Sequence, residues 1–154
     1  MYDNILVPTD GSAAAKSAIN HAVDIATVRE STVHALHVIP TDELRFRPKS
    51  DEVKRLEAGH FEEYPEAHTR AKNAVHDVVA AATEANVEAV GSIVAGKPHT
   101  KIVDYARENG IDLIVMGSHG HSGVGRLLLG STTERVIRKT SVPVLTTDVT
   151  EPVQ

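Results

Sequence analysis

The spacing of apolar residues along the chain predicts strands that alternate with helices. Ile5-Leu6-Val7 is an unbroken apolar run ended by Pro8, which predicts a short buried strand. Residues 9–12 form a polar turn, and apolar residues then recur from Ala15 to Ala26 at the spacing of a helix. Ser12 is the predicted N-cap of this helix. The chain therefore opens with a strand, a tight turn and a helix.

The same pattern predicts four more strands and three more helices. Residues 41–59 interrupt it, because they are charged and lack periodicity, and we expect a long mobile connection with room for a helical turn. The predicted strands are Val33–Ile39, Val87–Ala95, Ile111–Met116 and Val142–Leu145. The predicted helices are Phe61 to about Asn86, a helix that begins at Pro98 and stops at Asn109-Gly110, and a last helix after Ser131.

Local signals refine three of these predictions. Ser131 and Glu134 have the S-x-x-E spacing of a capping box, which makes Ser131 the predicted N-cap of the last helix. Pro143 marks the fifth strand as an edge or irregular strand. His34 and His37 have an odd separation and point to opposite faces of their strand, so we expect one of them to be buried and hydrogen-bonded.

Strands that alternate with helices pair in parallel through right-handed crossovers, which predicts an open α/β sheet with helices on both faces. Such sheets bind ligands at the carboxyl ends of strands where the strand order reverses. If the first and fourth strands are neighbours at that point, Thr9-Asp10-Gly11 and the residues after Met116 line one crevice. The candidate site is expected there.

Length, charge and composition restrict the function. The 154 residues fit one domain, expected at 1–148 with a loose tail at 149–154. The chain has no cysteine and no signal-like amino terminus, which predicts a cytoplasmic protein. No apolar run is long enough to span a membrane. A net charge of −5 and five scattered aromatic residues argue against a nucleic-acid surface.

Five of the ten glycines lie between residues 111 and 133, at Gly117, Gly120, Gly123, Gly125 and Gly130. Glycine is tolerated where the backbone must turn or let another group approach, and a phosphate chain is such a group. A competing pattern, G-x-x-x-x-G-K at Gly91–Lys97, lacks the Ser or Thr that holds magnesium, because Pro98 occupies that position. Gly91–Lys97 is interpreted instead as a strand that leads to a helix begun by proline.

Gly117, Gly120, Gly130 and Ser131 have the spacing G-x2-G-x9-G-[S/T]. With this motif the chain resembles the nucleotide-binding branch of the universal stress protein family. Residues 4–12 are similar to the family's opening and residues 142–144 to its last strand, whereas 41–59 is the weakest match. The expected fold is an open, five-stranded, parallel Rossmann-like sheet in the strand order 3-2-1-4-5.

The chemistry of the residues supports a nucleotide site. Gly117 and Gly120 would turn backbone N–H groups toward phosphate oxygens, and Gly130 would turn the chain into a helix whose positive end faces the same place. Asp10 can accept hydrogen bonds from ribose hydroxyls, or simply cap its own turn. The resemblance implies that the backbone of Val38 meets the adenine, which would pack on aliphatic side chains. The predicted nucleotide contacts are Pro8, Thr9, Asp10, Val38, Met116, Gly117, Gly120, Gly130, Ser131, Thr132 and Thr133.

The resemblance implies a homodimeric ATP-binding sensor that acts in the stress response, with AMP or another adenine nucleotide as alternative ligand. The dimer would form through residues 142–147. A slow ATPase or phosphate-transferring enzyme is the alternative function, disfavoured because no general base, arginine finger or P-loop lysine is identified. Magnesium is expected only as a companion of the phosphates. His119 and His121 lack an evident third ligand, so no metal site is predicted.

Overall fold

A computed structural model of the chain describes residues 1–42, 49–119 and 129–149. Five strands and five helices are present in these residues. In chain order they are β1 (Asn4–Pro8), α1 (Ala13–Arg29), β2 (Thr32–Pro40), α2 (Ser50–Glu57), α3 (Pro65–Glu84), β3 (Ala89–Gly96), α4 (Pro98–Glu108), β4 (Leu113–Gly117), α5 (Ser131–Lys139) and β5 (Val144–Thr147).

The five strands form one parallel sheet in the order β3-β2-β1-β4-β5, which confirms the predicted topology. β1 lies between β2 and β4, and Ile5 is paired in register with Leu113. The strand order reverses between β1 and β4. The loops that follow these two strands therefore leave the sheet side by side at its carboxyl edge.

Side chains alternate between two cores along β1, one on each face of the sheet. Ile5 and Val7 point into the core that α1 and α3 cover, while Leu6 points into the core that α4 and α5 cover. All three side chains are fully buried. Burial on both faces explains why β1 is an unbroken apolar run instead of an alternating one.

Residues 41–59 contain more regular structure than the sequence predicts. Instead of a mobile connection, Ser50–Glu57 form α2, and Leu56 is buried at 1% exposure against Ile39 and Ala95. A helix that buries a single large side chain has no repeating apolar stripe, so periodicity does not reveal it. The residues between Asp42 and Lys49 lie outside the described part of the chain.

The boundaries of β5 and α3 differ from their predicted positions. β5 is Val144–Thr147 and not Val142–Leu145, although it lies at the sheet edge as Pro143 predicts. α3 begins at Pro65, which suits the first helical position because it has no N–H to satisfy. Residues 91–96 lie in β3 and Lys97 is the N-cap of α4, so this stretch is a strand that leads to a helix begun by Pro98, as interpreted from the sequence. Among the described helices, none combines the length and apolar character needed to span a membrane.

Candidate functional site

A cleft of about 1000 Å³ opens at the carboxyl edge of the sheet. Ten of the eleven sequence-predicted contacts line it: Pro8, Thr9, Asp10, Val38, Met116, Gly117, Gly130, Ser131, Thr132 and Thr133. The eleventh, Gly120, lies outside the described residues, as do Gly123, Gly125 and His121. Residues from three separate strands and from the start of α5 therefore meet in one concave surface.

Hydrogen bonds join the loop after β1 to strand β2. The Thr9 N–H donates to the Leu36 carbonyl at 2.9 Å, and the Thr9 carbonyl accepts from the His37 ring Nδ1 at 2.8 Å. His37 is 6% exposed and lines the cleft, which confirms that one of the two β2 histidines is buried and hydrogen-bonded. Because Nδ1 faces a carbonyl, it carries the ring proton. Sequence reasoning did not include His37 in the site.

Asp10 forms the turn between β1 and α1 and also lines the cleft. Its Oδ1 accepts from the Ser12 N–H at 2.9 Å, and the Thr9 hydroxyl oxygen accepts from the Gly11 N–H at 3.2 Å. Gly11 adopts a φ of +80°, which a side chain would disfavour. Ser12 then caps α1, as predicted, by accepting from the Ala15 N–H at 3.3 Å. Turn formation and a place in the cleft are thus compatible roles for Asp10.

Gly117 is required by packing against α1. A Cβ on Gly117 would lie 2.8 Å from the Ala14 carbonyl carbon and 2.9 Å from the Ala14 Cβ. The end of β4 therefore approaches the first turn of α1 more closely than any side chain allows. This packing explains the glycine without any ligand.

The loop that follows β4 is closed at its base. The Gly130 N–H donates to the Ser118 carbonyl at 2.7 Å, and the Thr133 hydroxyl donates to the Gly117 carbonyl at 2.9 Å. The proton of the buried Thr133 hydroxyl is thereby used to hold α5 against β4. A Cβ on Gly130 would lie 3.1 Å from His119 Cα, so close packing of the two ends of the loop favours glycine there.

The predicted N-cap of the last helix is wrong by one residue. Gly130 is the N-cap of α5, with φ −64° and ψ 156°, and Ser131 is the first helical residue. The first bond of the helical ladder runs from the Glu134 N–H to the Gly130 carbonyl at 3.0 Å. The N–H groups of residues 131–133 precede that ladder at the positive end of the helix, beside the cleft.

His119 connects the cleft to the end of β5. Its Nε2 lies 3.1 Å from the Asp148 carboxylate, and the neighbouring Ser118 N–H donates to the Thr147 carbonyl at 2.6 Å. His119 also lines the cleft. The beginning of the loop after β4 is therefore fixed to the edge strand of the sheet.

One wall of the cleft comes from the start of α3, which sequence reasoning did not assign to the site. The residues of this wall are Glu63, Tyr64, Pro65, Glu66, Ala67 and Arg70. The Tyr64 hydroxyl donates to Glu52 at 2.6 Å, and this bond to a carboxylate raises the pKa of Tyr64 to about 12. Arg55 donates to both oxygens of Glu63 at 3.0 and 3.1 Å. Hydrogen bonds with two side chains of α2 thus hold this wall in place.

The wall changes two expectations about the cleft. It adds an aromatic ring, Tyr64, to a pocket for which only aliphatic packing was expected. It also contributes the carboxylates Glu63 and Glu66 and the guanidinium of Arg70. The signal for this wall in the sequence was Pro65, since a proline that starts a helix before a parallel strand places that helix start at the carboxyl edge. Among the described residues, no three metal-ligating side chains converge on one point.

The sequence profile of the universal stress protein family matches residues 1–147. Universal stress protein MJ0577 of Methanocaldococcus jannaschii is 35% identical to this chain over 152 residues, which cover 94% of each protein. The solved structure of MJ0577 has a TM-score of 0.78 and 34% identity and covers 99% of both chains. UspA from Lactobacillus plantarum is 31% identical with a TM-score of 0.77, covering 95% of this chain and 97% of its own.

A universal stress protein from Archaeoglobus fulgidus, solved in complex with dAMP, has the same fold. It is 24% identical with a TM-score of 0.68 and covers 95% of this chain and 98% of its own.

Proposed function

Because the chain belongs to the universal stress protein family, we propose that its cleft binds an adenine nucleotide and that the physiological ligand is ATP. The observation that carries this proposal is the meeting of Asp10, Val38 and the start of α5 in one cleft where the strand order reverses. The volume of about 1000 Å³ is sufficient for a nucleotide. The dAMP bound by the Archaeoglobus fulgidus protein of the same fold supports the class of ligand.

The adenine and ribose would bind at the ends of β1, β2 and β4. The base lies between Val38 and Met116, where the Val38 backbone offers hydrogen bonds and both side chains offer apolar contact. Pro8 and Thr9 complete this part of the pocket. Asp10 accepts from the ribose hydroxyls, as a carboxylate does in other nucleotide-binding folds.

The phosphates would bind at the amino terminus of α5. Ser131, Thr132 and Thr133 present backbone N–H groups there, and the helix dipole favours negative charge at the same point. In this proposal Thr133 contributes its N–H and not its hydroxyl, which is bonded to Gly117. Gly120 retains its proposed role as a backbone contact, and Mg²⁺ accompanies the phosphates without a dedicated protein site.

We further propose that residues 1–148 act as one nucleotide-binding unit in a cytoplasmic homodimeric sensor of the stress response. β5 is an edge strand, and edge strands carry unpaired backbone groups suited to pairing with a second copy. Leu145 is 38% exposed on this strand, and Val144 is half-buried. The proposed interface is therefore residues 142–147.

Native mass spectrometry of freshly purified protein tests ligand and assembly together. We expect a dimer that carries one adenine nucleotide per chain. Leu145→Lys should give monomers, whereas Val28→Lys, at an 80% exposed position on α1, should leave the dimer intact. A wild-type protein that is monomeric at micromolar concentration would contradict the dimer.

Phosphate release distinguishes a sensor from an enzyme. We expect no sustained release of phosphate from ATP by the purified protein. Sustained turnover that Asp10→Asn abolishes would favour the slow ATPase instead.

A further inference from the structure

Helices α4 and α5 bring four basic side chains together on the surface of the molecule. Lys97 is the N-cap residue of α4 and His99 lies in its first turn, while Arg135 and Lys139 are one turn apart on α5. Lys97, Arg135 and Lys139 are exposed, and His99 is half-buried. We call these four residues the α4–α5 basic face.

The positive charges of the α4–α5 basic face act on the imidazole ring of His99. The pKa of His99 is lowered first by burial and then by the positive charges of Lys139, Arg135 and Lys97. Asp42 is the carboxylate that opposes these charges at His99. Lys97 of α4 and Arg135 and Lys139 of α5 therefore lie near enough to His99 to act on its ring electrostatically.

Two of the three acidic residues of these helices form ion pairs away from the basic face, and the third, Glu108, is the last residue of α4. Glu134 pairs with Arg138 at 2.8 Å, and Asp104 pairs with Arg107 at 3.0 Å. Within the described residues, no carboxylate forms an ion pair within 4.0 Å of Lys97, Arg135 or Lys139. Arg135 and Lys139 are four residues apart on a helix, where like charges repel each other. The electrostatic environment of His99 thus contains three cations and one opposing carboxylate, Asp42, which leaves the face with a net positive charge.

We infer that the α4–α5 basic face docks an acidic segment of a partner protein. A carboxylate-rich segment supplies the negative charges that would lie between Arg135, Lys139 and the start of α4, and such complementarity gives orientation and a faster encounter. The proposal concerns residues outside the nucleotide cleft and does not depend on the nucleotide.

The charge of the whole chain favours a short acidic peptide over a nucleic acid or an anionic membrane. The net charge is −5, so an extended polyanion would meet repulsion from the rest of the surface. Charges beyond the Debye length, about 8–10 Å at physiological salt, are largely screened, so a segment short enough to stay beside the basic face avoids most of this repulsion. A nucleic acid would also gain from aromatic stacking, and aromatic residues are only 3% of this chain.

Fluorescence anisotropy with a fluorescein-labelled ten-residue polyglutamate peptide tests the inference. The wild type should bind the peptide, and binding should weaken as salt rises. The double variant Arg135→Glu/Lys139→Glu should bind at least about tenfold more weakly, because two attractions become repulsions. The matched control Arg107→Glu/Arg138→Glu changes the net charge by the same amount, with one substitution on α4 and one on α5, at positions already paired with acids. It should change the affinity by no more than about twofold.

Four results would overturn the inference. They are no binding of the peptide at low salt, an equal loss in both double variants, tighter binding of a single-stranded oligonucleotide or a phosphatidylserine vesicle than of the peptide, and displacement of the peptide by saturating ATP. The last result would assign the cations to the nucleotide cleft. Circular dichroism and a urea transition for each variant verify that the fold is retained. A failure of ATP to bind would leave the peptide measurement unaffected, so the two proposals fail separately.

Discussion

The hydroxyl of Thr133 donates a hydrogen bond of 2.9 Å to the carbonyl oxygen of Gly117, and both residues are buried. This bond joins the first turn of α5 to the end of β4 across the base of the intervening loop. The start of α5, where the phosphates are proposed to bind, is therefore fixed by one side chain to the end of β4, which is part of the proposed adenine site. Removal of this bond should change both the stability of the fold and the affinity for nucleotide.

We expect Thr133→Val to lower the free energy of unfolding by about 1–3 kcal/mol, because the Gly117 carbonyl is left buried without its donor. Thr133→Ser keeps the hydroxyl and should recover most of this loss. Urea denaturation measures the stability, and ATP affinity should follow the same order. Equal stability of the valine variant and the wild type would show that the bond contributes nothing.

Gly117→Ala should destabilise the protein by roughly 1–3 kcal/mol, since the new methyl group meets the backbone of Ala14 and forces the chain to shift. Gly130→Ala should cost less, because its nearest contact, His119 Cα, is 3.1 Å away and needs only a small adjustment. Thermal unfolding of the two variants compares them directly. The opposite order would mean that the approach of β4 to α1 is not the reason for the glycine.

Ser131→Pro should weaken ATP binding without harming α5. Proline is favoured at the first helical position, and the ψ of 156° at Gly130 suits a residue that precedes proline. The substitution deletes one N–H proposed to contact phosphate, a loss of about 1.5–3 kcal/mol for a hydrogen bond to a charged group. Ser131→Ala keeps that N–H and is the control. Isothermal titration should show that adenosine, which has no phosphate, binds both variants equally, and equal ATP affinities would remove this N–H from the site.

Stability should fall in mild acid because of His34. Its Nε2 lies 3.0 Å from the Asn4 side-chain oxygen and its Nδ1 lies 2.9 Å from the Tyr105 hydroxyl, and the neutral ring satisfies both contacts by donating from Nε2 and accepting at Nδ1. Burial lowers the pKa of His34 below 6.5, so folding favours the neutral form. The resulting stability is fully present above the unfolded pKa of about 6.5 and is lost as the pH falls through the lower folded value.

Urea denaturation of the wild type and His34→Gln at about pH 7.5 and 5 isolates this contribution, since glutamine does not titrate in that range. The wild type should lose more stability than the variant between the two values. Parallel losses would assign the acid sensitivity to other groups.

The sheet was predictable because strands that are buried on both faces appear in the sequence as unbroken apolar runs. The apolar runs Ile5–Val7 and Leu113–Met116 are the central strands, and prolines at positions 8 and 98 stand where a strand ends and a helix begins. The cleft could be located because β1 and β4 are neighbours in the sheet, so the loops that follow them lie side by side. These features depend on local pattern and on general rules of parallel sheets.

The features that were missed depend on tertiary packing. α2 buries a single large side chain, Leu56, so its sequence has no repeating pattern of apolar residues. Pro65 marked the helix start at the wall, but the bonds of Glu63 and Tyr64 with Arg55 and Glu52 of α2 join segments that no local pattern connects. The N-cap of α5 is Gly130 and not Ser131, because the Gly130 carbonyl accepts the first backbone hydrogen bond of the helix. In the same way, the glycine at 117 suggested a ligand, whereas contact with Ala14 already requires it.

Isothermal titration of ATP into the wild type and into Asp10→Asn tests the central claim most directly. Asparagine retains the oxygen that accepts from the Ser12 N–H, so the turn is kept while the charged acceptor for the ribose is lost. We predict one site per chain in the wild type and an affinity loss of about 1–3 kcal/mol in the variant, roughly 5- to 150-fold. Absence of heat at millimolar ATP with the wild type, or equal affinities of the two proteins, would contradict the proposed nucleotide site.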